Sequence, residues 1–242
     1  MRWLLPLLWL LMELNGRLMA QAIPPNQERT FNTIVPNVRL VDAAGREFRL
    51  HELRGKPVII SPIYVGCPSA CLAITRSLRQ VLPQVGTPGK DFWVLSITFH
   101  PKERQDAVRQ FQRAYQLDGV GWRAVYARTE QELFQLLDAL DFRFRYVNAQ
   151  VYDHPNVVVF LSREMRIRYY AEGTTYTADQ IRTGLRWARG ELTPFERLEQ
   201  ALLPLGITLL IGGILLSLYS GSRAAWRRVN SEAPPSSSEN SF

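Results

Sequence analysis

Residues 57–85, PVIISPIYVGCPSACLAITRSLRQVLPQV, contain three successive features that together decide the fold. The run from Pro57 to Val65 is almost continuously apolar, which is typical of a central strand buried on both faces. After Cys71, apolar residues recur at helical spacing and predict an amphipathic helix. The only two cysteines of the chain, Cys67 and Cys71, lie between these segments. The stretch therefore predicts a strand, a thiol-bearing loop and a helix that begins at that loop.

Strand patterns continue on both sides of this stretch. Two short strands around a turn at Gly45 precede it, and FWVLSITF at 92–99 and WRAVY at 122–126 follow it. Near the end of the folded region, NVVVFLS and MRIRYYAE predict two strands joined by a tight turn at Arg163 and Glu164.

Helical patterns separate these strands. A helix is expected from near Glu103, and Thr129 with Glu132 and Thr177 with Gln180 are capping boxes that predict two more helices. Strands that alternate with helices and end in a hairpin and a final helix predict an α/β sandwich around a mixed sheet. A thioredoxin-like fold has this order, and we place the domain at residues 36–190.

The composition is that of a folded protein. The chain has 242 residues, of which 46% are hydrophobic and 21% charged, and its formal net charge is +7. The excess charge is mostly arginine spread along the chain, without the clustered basic and aromatic residues of a nucleic-acid motif. We therefore interpret it as a solvated basic surface and expect no nucleic-acid partner.

The N-terminus resembles a targeting segment. Arg2 is followed by a ten-residue apolar run, Trp3 to Met12, that is too short to span a bilayer. Ala20-Gln21-Ala22 is a small-x-small cleavage site. We predict a signal peptide at residues 1–22 and a polar linker at 23–35.

A second apolar segment lies near the C-terminus. Residues Gln200–Ser222 carry no charge, and twenty such helical residues are enough to cross a hydrocarbon core of about 30 Å. The arginines that follow Ser222 predict a cytoplasmic C-terminus. We expect a juxtamembrane segment at 191–200, a transmembrane helix at 201–220 and a disordered tail at 221–242. The folded domain would then lie on the outer, periplasmic or topologically equivalent side.

The cysteine pair has three interpretations, which are a structural disulfide, a redox pair and a metal site. A bridge across so few residues would remove little entropy from the unfolded chain, which counts against a purely structural role. A helix N-terminus at the pair would lower a thiol pKa. The position therefore favours redox or metal chemistry.

Histidines could complete a metal site. His51 is expected at the surface, whereas His100 ends the second central strand and His154 precedes the hairpin. In a thioredoxin-like sheet both of the latter positions face the cysteine loop. Two thiolates and one imidazole form a soft, low-coordinate donor set that suits Cu(I), whereas zinc would want a fourth ligand.

Three segments together resemble the Sco/SenC family of copper-binding, thioredoxin-like proteins involved in cytochrome c oxidase assembly. They are RGKPVIISPIYVGCPSAC, SITFHP and YDHPNVVVFLS, and the resemblance covers roughly residues 36–190. It implies that Cys67, Cys71 and His154 bind copper. It also implies a role at the CuA centre of oxidase subunit II or a related membrane oxidase, by copper delivery, by reduction of recipient cysteines, or by both. We also expect Asp153 to orient the imidazole of His154.

The sequence departs from the family pattern at four points. Leu72 replaces a proline, His100 replaces an aspartate, Pro155 follows the ligand histidine, and the predicted membrane anchor is C-terminal rather than N-terminal. His100 is either a fourth ligand or a residue of the turn before Pro101, and we favour the turn. Pro155 admits a redox interpretation and raises the question of a cis bond.

The sequence leaves two functions open. The first is a membrane-anchored copper chaperone, which needs Cys67, Cys71 and His154. The second is an enzyme, a thiol–disulfide oxidoreductase with Cys67 and Cys71 as its catalytic redox pair, which does not need His154. A thiol peroxidase is weaker, because Tyr64 occupies the position where such a site would have threonine.

Overall fold

The computed structural model describes residues 22–148, 151–191, 202 and 211–212. No helix within these residues has the length and apolar character needed to cross a bilayer. The predicted tail and almost all of the predicted signal peptide and membrane span fall outside the described residues. The fold described below belongs to the first of two compact units, Met1–Glu191.

A mixed β-sheet forms the centre of the domain. The described strands are β1 Arg39–Asp42, β2 Glu47–Arg49, β3 Val58–Ile63, β4 Trp93–Thr98, β5 Trp122–Ala127, β6 Arg145–Asn148, β7 Val151–Asp153, β8 Val157–Leu161 and β9 Ile167–Glu172. Seven of them form the central sheet, in the order β2-β1-β5-β4-β3-β8-β9. Strands β3, β4 and β5 are parallel, and β1 and β8 pair antiparallel on either side of them. The other two, β6 and β7, form a separate hairpin.

In the described part of this unit, five α-helices accompany the strands, with two short 3-10 helices at Leu50–Leu53 and Leu82–Gln84. The α-helices are α1 Gln27–Thr30, α2 Ala70–Val81, α3 Gln105–Ala114, α4 Glu130–Ala139 and α5 Ala178–Arg189. Every residue of β3 and β8 is buried, as expected for strands covered on both faces. The predicted α/β thioredoxin-like fold with a mixed sheet is confirmed.

The sheet register brings two strand ends to the cysteine loop. In the parallel pair β3–β4, Ile63 lies opposite Thr98, so both strands terminate at the same end of the sheet. Strand β8 runs antiparallel to β3, with Val58 opposite Leu161. The start of β8 therefore lies at the end of the sheet where β3 terminates, and the loop before β8 reaches the cysteines.

The segment expected to be a linker, residues 23–35, packs on the domain. It contains α1, which Asn26 caps by accepting a hydrogen bond from the Arg29 N–H. The chain then pairs along the free edge of β9, where Asn32 N donates to Ile167 O at 2.8 Å and Val35 N donates to Met165 O at 3.0 Å. Backbone pairing of this kind protects the sheet edge and extends the domain to the N-terminal side of residue 36.

Side-chain hydrogen bonds cap the first turns of the helices predicted at Thr129 and Thr177. The Thr177 capping box forms as predicted, with Gln180 returning to the Thr177 N–H. Thr129 also caps its helix, but the carboxylate of Glu132 binds the backbone N–H and guanidinium of Arg39 on β1 instead of closing a box. Helix α3 begins at Gln105, close to the start expected near Glu103. The carboxylate of Glu103 itself turns toward the cysteine loop.

Candidate metal centre

The cysteine loop is a tight connection between β3 and α2. After Ile63 the chain turns, and the Cys67 N–H donates to the Tyr64 carbonyl oxygen at 3.1 Å. Helix α2 begins at Ala70, which places Cys71 in its first turn. The Cys71 N–H then points at the Cys67 sulfur, with N and Sγ 3.2 Å apart. Both cysteines are free thiols, Cys67 partly exposed and Cys71 buried.

The two thiols have opposite acidities. A hydrogen bond from the Cys71 side chain lowers the pKa of Cys67, and the N–H groups of Cys71 and Ser69 lower it further, against the effect of burial. The hydrogen bond to Cys67 raises the pKa of Cys71, and burial and the negative charge of Cys67 raise it further. Cys67 is thus the thiolate of the pair, and Cys71 is its proton donor. The N-terminus of a helix next to the Cys67 sulfur favours this negative charge.

The β6–β7 hairpin leads directly to His154. Its Nδ1 atom lies 3.1 Å from the carbonyl oxygen of Pro155. Because a carbonyl oxygen only accepts, Nδ1 carries the proton and Nε2 keeps its lone pair for a metal. The His154–Pro155 peptide bond is trans, so the cis bond considered from the sequence does not form.

The three predicted ligands lie together. One ligand atom each from Cys67, Cys71 and His154 lies within 4.8 Å of the other two, and no other group of this kind occurs among the described residues. A thiolate, a buried thiol and an imidazole with a free nitrogen are the soft donors that suit Cu(I). The side chains therefore fit the metal that the sequence suggested.

The other histidines do not join this group. His100 lies in the turn after β4, where its Nδ1 accepts a hydrogen bond from the Lys102 N–H at 3.1 Å. This is the turn role favoured from the sequence. His51 lies elsewhere in the domain, with Nε2 2.8 Å from the carbonyl oxygen of Val35.

Asp153 has a different partner from the one expected. Its Oδ2 accepts from the guanidinium of Arg145 at 3.0 Å, an ion pair within the β6–β7 hairpin. The Pro155 carbonyl supplies the contact that orients the His154 ring. The expectation that Asp153 orients the imidazole is thus replaced by a main-chain contact.

Aromatic rings surround the histidine. The centroid of the His154 ring lies 5.0 Å from Phe99, 5.9 Å from Tyr64 and 6.0 Å from Phe142. Burial raises the pKa of Tyr64 to about 12, and the negative charge of Cys67 and a hydrogen bond to that sulfur raise it as well. Tyr64 is therefore a neutral hydrogen-bonding neighbour of the Cys67 thiolate. The only sequence signal for this contact is the position of Tyr64, three residues before Cys67.

Glu103 is a second residue that sequence reasoning did not assign to the site. Its two carboxylate oxygens lie 2.9 and 3.0 Å from the Val65 backbone nitrogen. The same carboxylate accepts from the hydroxyl of Thr98 at the end of β4. Glu103 thus fastens the cysteine loop to the neighbouring strand. No spacing rule in the sequence would have revealed this contact.

Comparison with solved structures supports this architecture. A candidate electron transfer protein from Aquifex aeolicus VF5 is 48% identical, with a TM-score of 0.66, and the match covers 68% of this chain and 98% of that one. A SCO1/SenC family lipoprotein from Bacillus anthracis is 14% identical, with a TM-score of 0.57 and 65% and 96% coverage. ScoI from Bradyrhizobium japonicum, solved with copper bound, is 19% identical, with a TM-score of 0.51 and 64% and 99% coverage. Because the last two proteins have low sequence identity, their similarity to this chain concerns the fold alone.

Among curated proteins, a search finds no match to this sequence. The family model described as SCO1/SenC matches residues 26–188. This match spans well over half of the 242 residues and includes the cysteine loop, the β6–β7 hairpin and His154. The chain therefore belongs to the SCO1/SenC family.

Proposed function

We propose that this protein is a membrane-anchored copper chaperone that assists assembly of the CuA centre of cytochrome c oxidase. The observation that carries the proposal is the convergence of Cys67, Cys71 and His154, with ligand atoms within 4.8 Å of one another. Membership of the SCO1/SenC family and the copper-bound structure of a fold relative agree with it.

Copper is the cargo in this proposal. It supplies a soft, positively charged centre that binds sulfur in preference to oxygen. The chain's own residues prepare the binding site. Cys67 is already a thiolate, Cys71 has to release its proton for metal binding, and His154 presents Nε2 because Nδ1–H is held by the Pro155 carbonyl.

Equilibrium competition for Cu(I) under anaerobic conditions tests this function. The reduced full-length chain and its His154→Ala variant compete with a Cu(I) chelator of known affinity. We expect one copper per chain and markedly weaker binding by the variant. If His154→Ala holds copper as tightly as the parent chain, His154 is not a ligand and the chaperone assignment fails.

The second candidate is a thiol–disulfide oxidoreductase, favoured by the unequal acidity of the two thiols. The Cys67 thiolate would attack one sulfur of a partner disulfide, forming a mixed disulfide and releasing one partner thiolate. Cys71 would then lose its proton to solvent and attack the Cys67 sulfur, forming the Cys67–Cys71 disulfide and releasing the second thiolate. Two electrons pass to the partner, and an external dithiol reductant has to restore the pair. If the His154→Ala variant keeps both its thiol–disulfide exchange activity and its copper affinity, this second function is favoured.

The membrane attachment belongs to the proposal. Its support is the uncharged segment Gln200–Ser222, the arginines that follow it and the signal-like N-terminus. An anchored domain meets a membrane-embedded oxidase at a high effective concentration. A reporter that is active only outside the cytoplasm, fused after Phe242, should be silent, and activity there would overturn the proposed orientation.

A further inference from the structure

An exposed aromatic and basic surface lies on the N-terminal segment, β9 and α5. We call it the Phe31–Trp187 patch, and it comprises Phe31, Ile34, Arg166, Arg168 and Trp187. Phe31, Ile34 and Trp187 are 45%, 50% and 37% exposed. The patch is thus one of the places where large apolar side chains face solvent together.

Direct contacts hold the patch together. The rings of Phe31 and Trp187 meet edge to face at 6.2 Å between centroids. The Arg168 guanidinium lies over the Phe31 ring at 4.9 Å, and its Nε donates to the Trp187 carbonyl oxygen at 3.3 Å. Ile34 forms a β-bridge with Arg166. The arrangement is therefore a defined surface rather than scattered side chains.

The patch and the candidate metal centre lie at opposite ends of the sheet. Ile167 at the start of β9 pairs with Leu161, and Leu161 pairs with Val58 at the start of β3. The cysteine loop follows the other end of β3, and a strand of this length spans about 20 Å. A surface bound to the patch would leave the metal centre facing away from it.

The charges around the patch are predominantly basic. Arg186 and Arg189 lie in the last turn of α5, next to Trp187, and add to Arg166 and Arg168. The negative charge of Glu191 is partly offset by Arg189, whose Nη1 atom lies 3.9 Å from the Oε1 atom of Glu191. Glu28 and Glu164 are the acidic residues that flank the patch in the sequence. The balance is complementary to an anionic surface.

We propose that the Phe31–Trp187 patch binds the surface of an anionic phospholipid bilayer. Tryptophan favours the membrane–water boundary. Each arginine near an anionic surface strengthens binding about fivefold. The sequence also brings a bilayer within reach, because the uncharged segment Gln200–Ser222 begins nine residues after Glu191. The inference rests on the proposed membrane attachment and adds an orientation to it: the patch faces lipid and Cys67 faces away.

Spin labels on the full-length chain test this orientation. In a background with Cys67→Ser and Cys71→Ser, one label is placed at Thr33→Cys, next to Ile34 of the patch, and, in a second protein, at Lys102→Cys at the other end of the sheet. Both positions are exposed. The chain is reconstituted into phosphatidylcholine vesicles, with and without phosphatidylglycerol, that contain a nickel-chelating lipid. We expect relaxation by the nickel lipid to be several-fold greater at residue 33 than at residue 102.

Variants then identify the groups responsible. Phe31→Gln with Trp187→Gln should abolish the difference between the two labels, and Arg186→Gln with Arg189→Gln should reduce it only in vesicles that contain phosphatidylglycerol. Tyr146→Gln, which alters an aromatic side chain that is 60% exposed elsewhere, is the matched control and should change nothing. Circular dichroism checks that each variant has the parent unfolding transition.

Three results would overturn the proposal. They are equal relaxation at the two labels, greater relaxation at residue 102, and a difference that survives in the Phe31→Gln, Trp187→Gln variant. A patch label that stays remote from lipid would point instead to a protein partner. Flotation of the chain with vesicles tests the membrane anchor separately. A chain that fails to float contradicts the proposed attachment, whereas a chain that floats without the label difference contradicts only the patch.

Discussion

The Nδ1 atom of His154 lies 3.1 Å from the carbonyl oxygen of Pro155, the residue that follows it in the chain. A histidine that binds a metal usually donates its second ring N–H to an oxygen acceptor, which fixes both its tautomer and its orientation. Here the backbone provides that acceptor. The Asp153 carboxylate next to it is paired with Arg145.

This arrangement predicts that Asp153 matters little for copper. Loss of a side chain that orients a ligand typically costs 10-fold to 100-fold in metal affinity. We expect Asp153→Asn to change the Cu(I) affinity by less than about threefold, because it alters an ion pair with an exposed arginine. Chelator competition on the full-length chain measures this effect, with His154→Ala as the positive control. A loss of about tenfold or more in Asp153→Asn would restore the orienting role to its carboxylate.

The lowered pKa of Cys67 predicts selective alkylation in acid. A free thiol has a pKa of about 8.5, so its reaction with iodoacetamide slows about tenfold for each unit of pH below that value. The Cys67 thiolate persists at lower pH, since protonation begins only as the pH falls toward its lowered pKa. We expect rapid labelling of Cys67 and none of buried Cys71 at pH 5, measured by peptide mass spectrometry.

The control for this prediction is the partner cysteine. The largest cause of the lowered Cys67 pKa is the hydrogen bond from Cys71. Cys71→Ala should therefore slow labelling of Cys67 at pH 5 but not at pH 9, whereas Cys71→Ser retains a donor and should slow it less. Equal labelling of all three proteins at pH 5 would contradict this account of the acidity.

The contacts of Glu103 predict a role in holding the cysteine loop. Its carboxylate accepts the Val65 N–H two residues before Cys67 and the hydroxyl of Thr98. Glu103→Ala leaves both donors without this acceptor and should cost about 1–3 kcal/mol of unfolding free energy, together with copper affinity. Glu103→Gln keeps an oxygen acceptor and should recover part of both. Urea unfolding and copper competition measure the two effects, and a Glu103→Ala chain equal to the parent in both would refute the role.

Helix α5 approaches β8 closely at Gly184. A Cβ atom at this position would lie 2.7 Å from two carbon atoms of the buried Phe160 ring. Gly184→Ala should therefore destabilise the domain by about 1–3 kcal/mol, although alanine favours helices. Thr183→Ala on the same helix is the matched control. A Gly184→Ala chain that unfolds at the parent's denaturant concentration would show that the helix moves away at little cost.

Much of the fold could be predicted because the buried elements have strong patterns. The continuous apolar run of β3, the helical spacing of α2 and the Thr177 capping box all correspond to elements of the structure. The β6–β7 hairpin was missed, since all four residues of β6 are exposed and give no apolar alternation. Tyrosine and valine on both sides of the intervening residues were the available signal.

The site could be predicted only as far as its three candidate ligands. Cys67, Cys71 and His154 stand at strand ends that a thioredoxin-like order brings together, and the structure places them within 4.8 Å of one another. The acceptor of His154 and the role of Glu103 could not be predicted. Both depend on backbone atoms, the Pro155 carbonyl and the Val65 N–H, whose directions are set by tertiary structure rather than by residue type.

The most direct test of the central claim is X-ray absorption at the copper edge of the full-length chain, reduced and loaded anaerobically with one equivalent of Cu(I). If Cys67, Cys71 and His154 form the centre, the spectrum should show two sulfur ligands and one nitrogen ligand, and the nitrogen should disappear in His154→Ala but remain in His100→Ala. A parent spectrum with sulfur ligands alone, or a nitrogen ligand that persists in His154→Ala, would contradict the claim that these three residues bind copper.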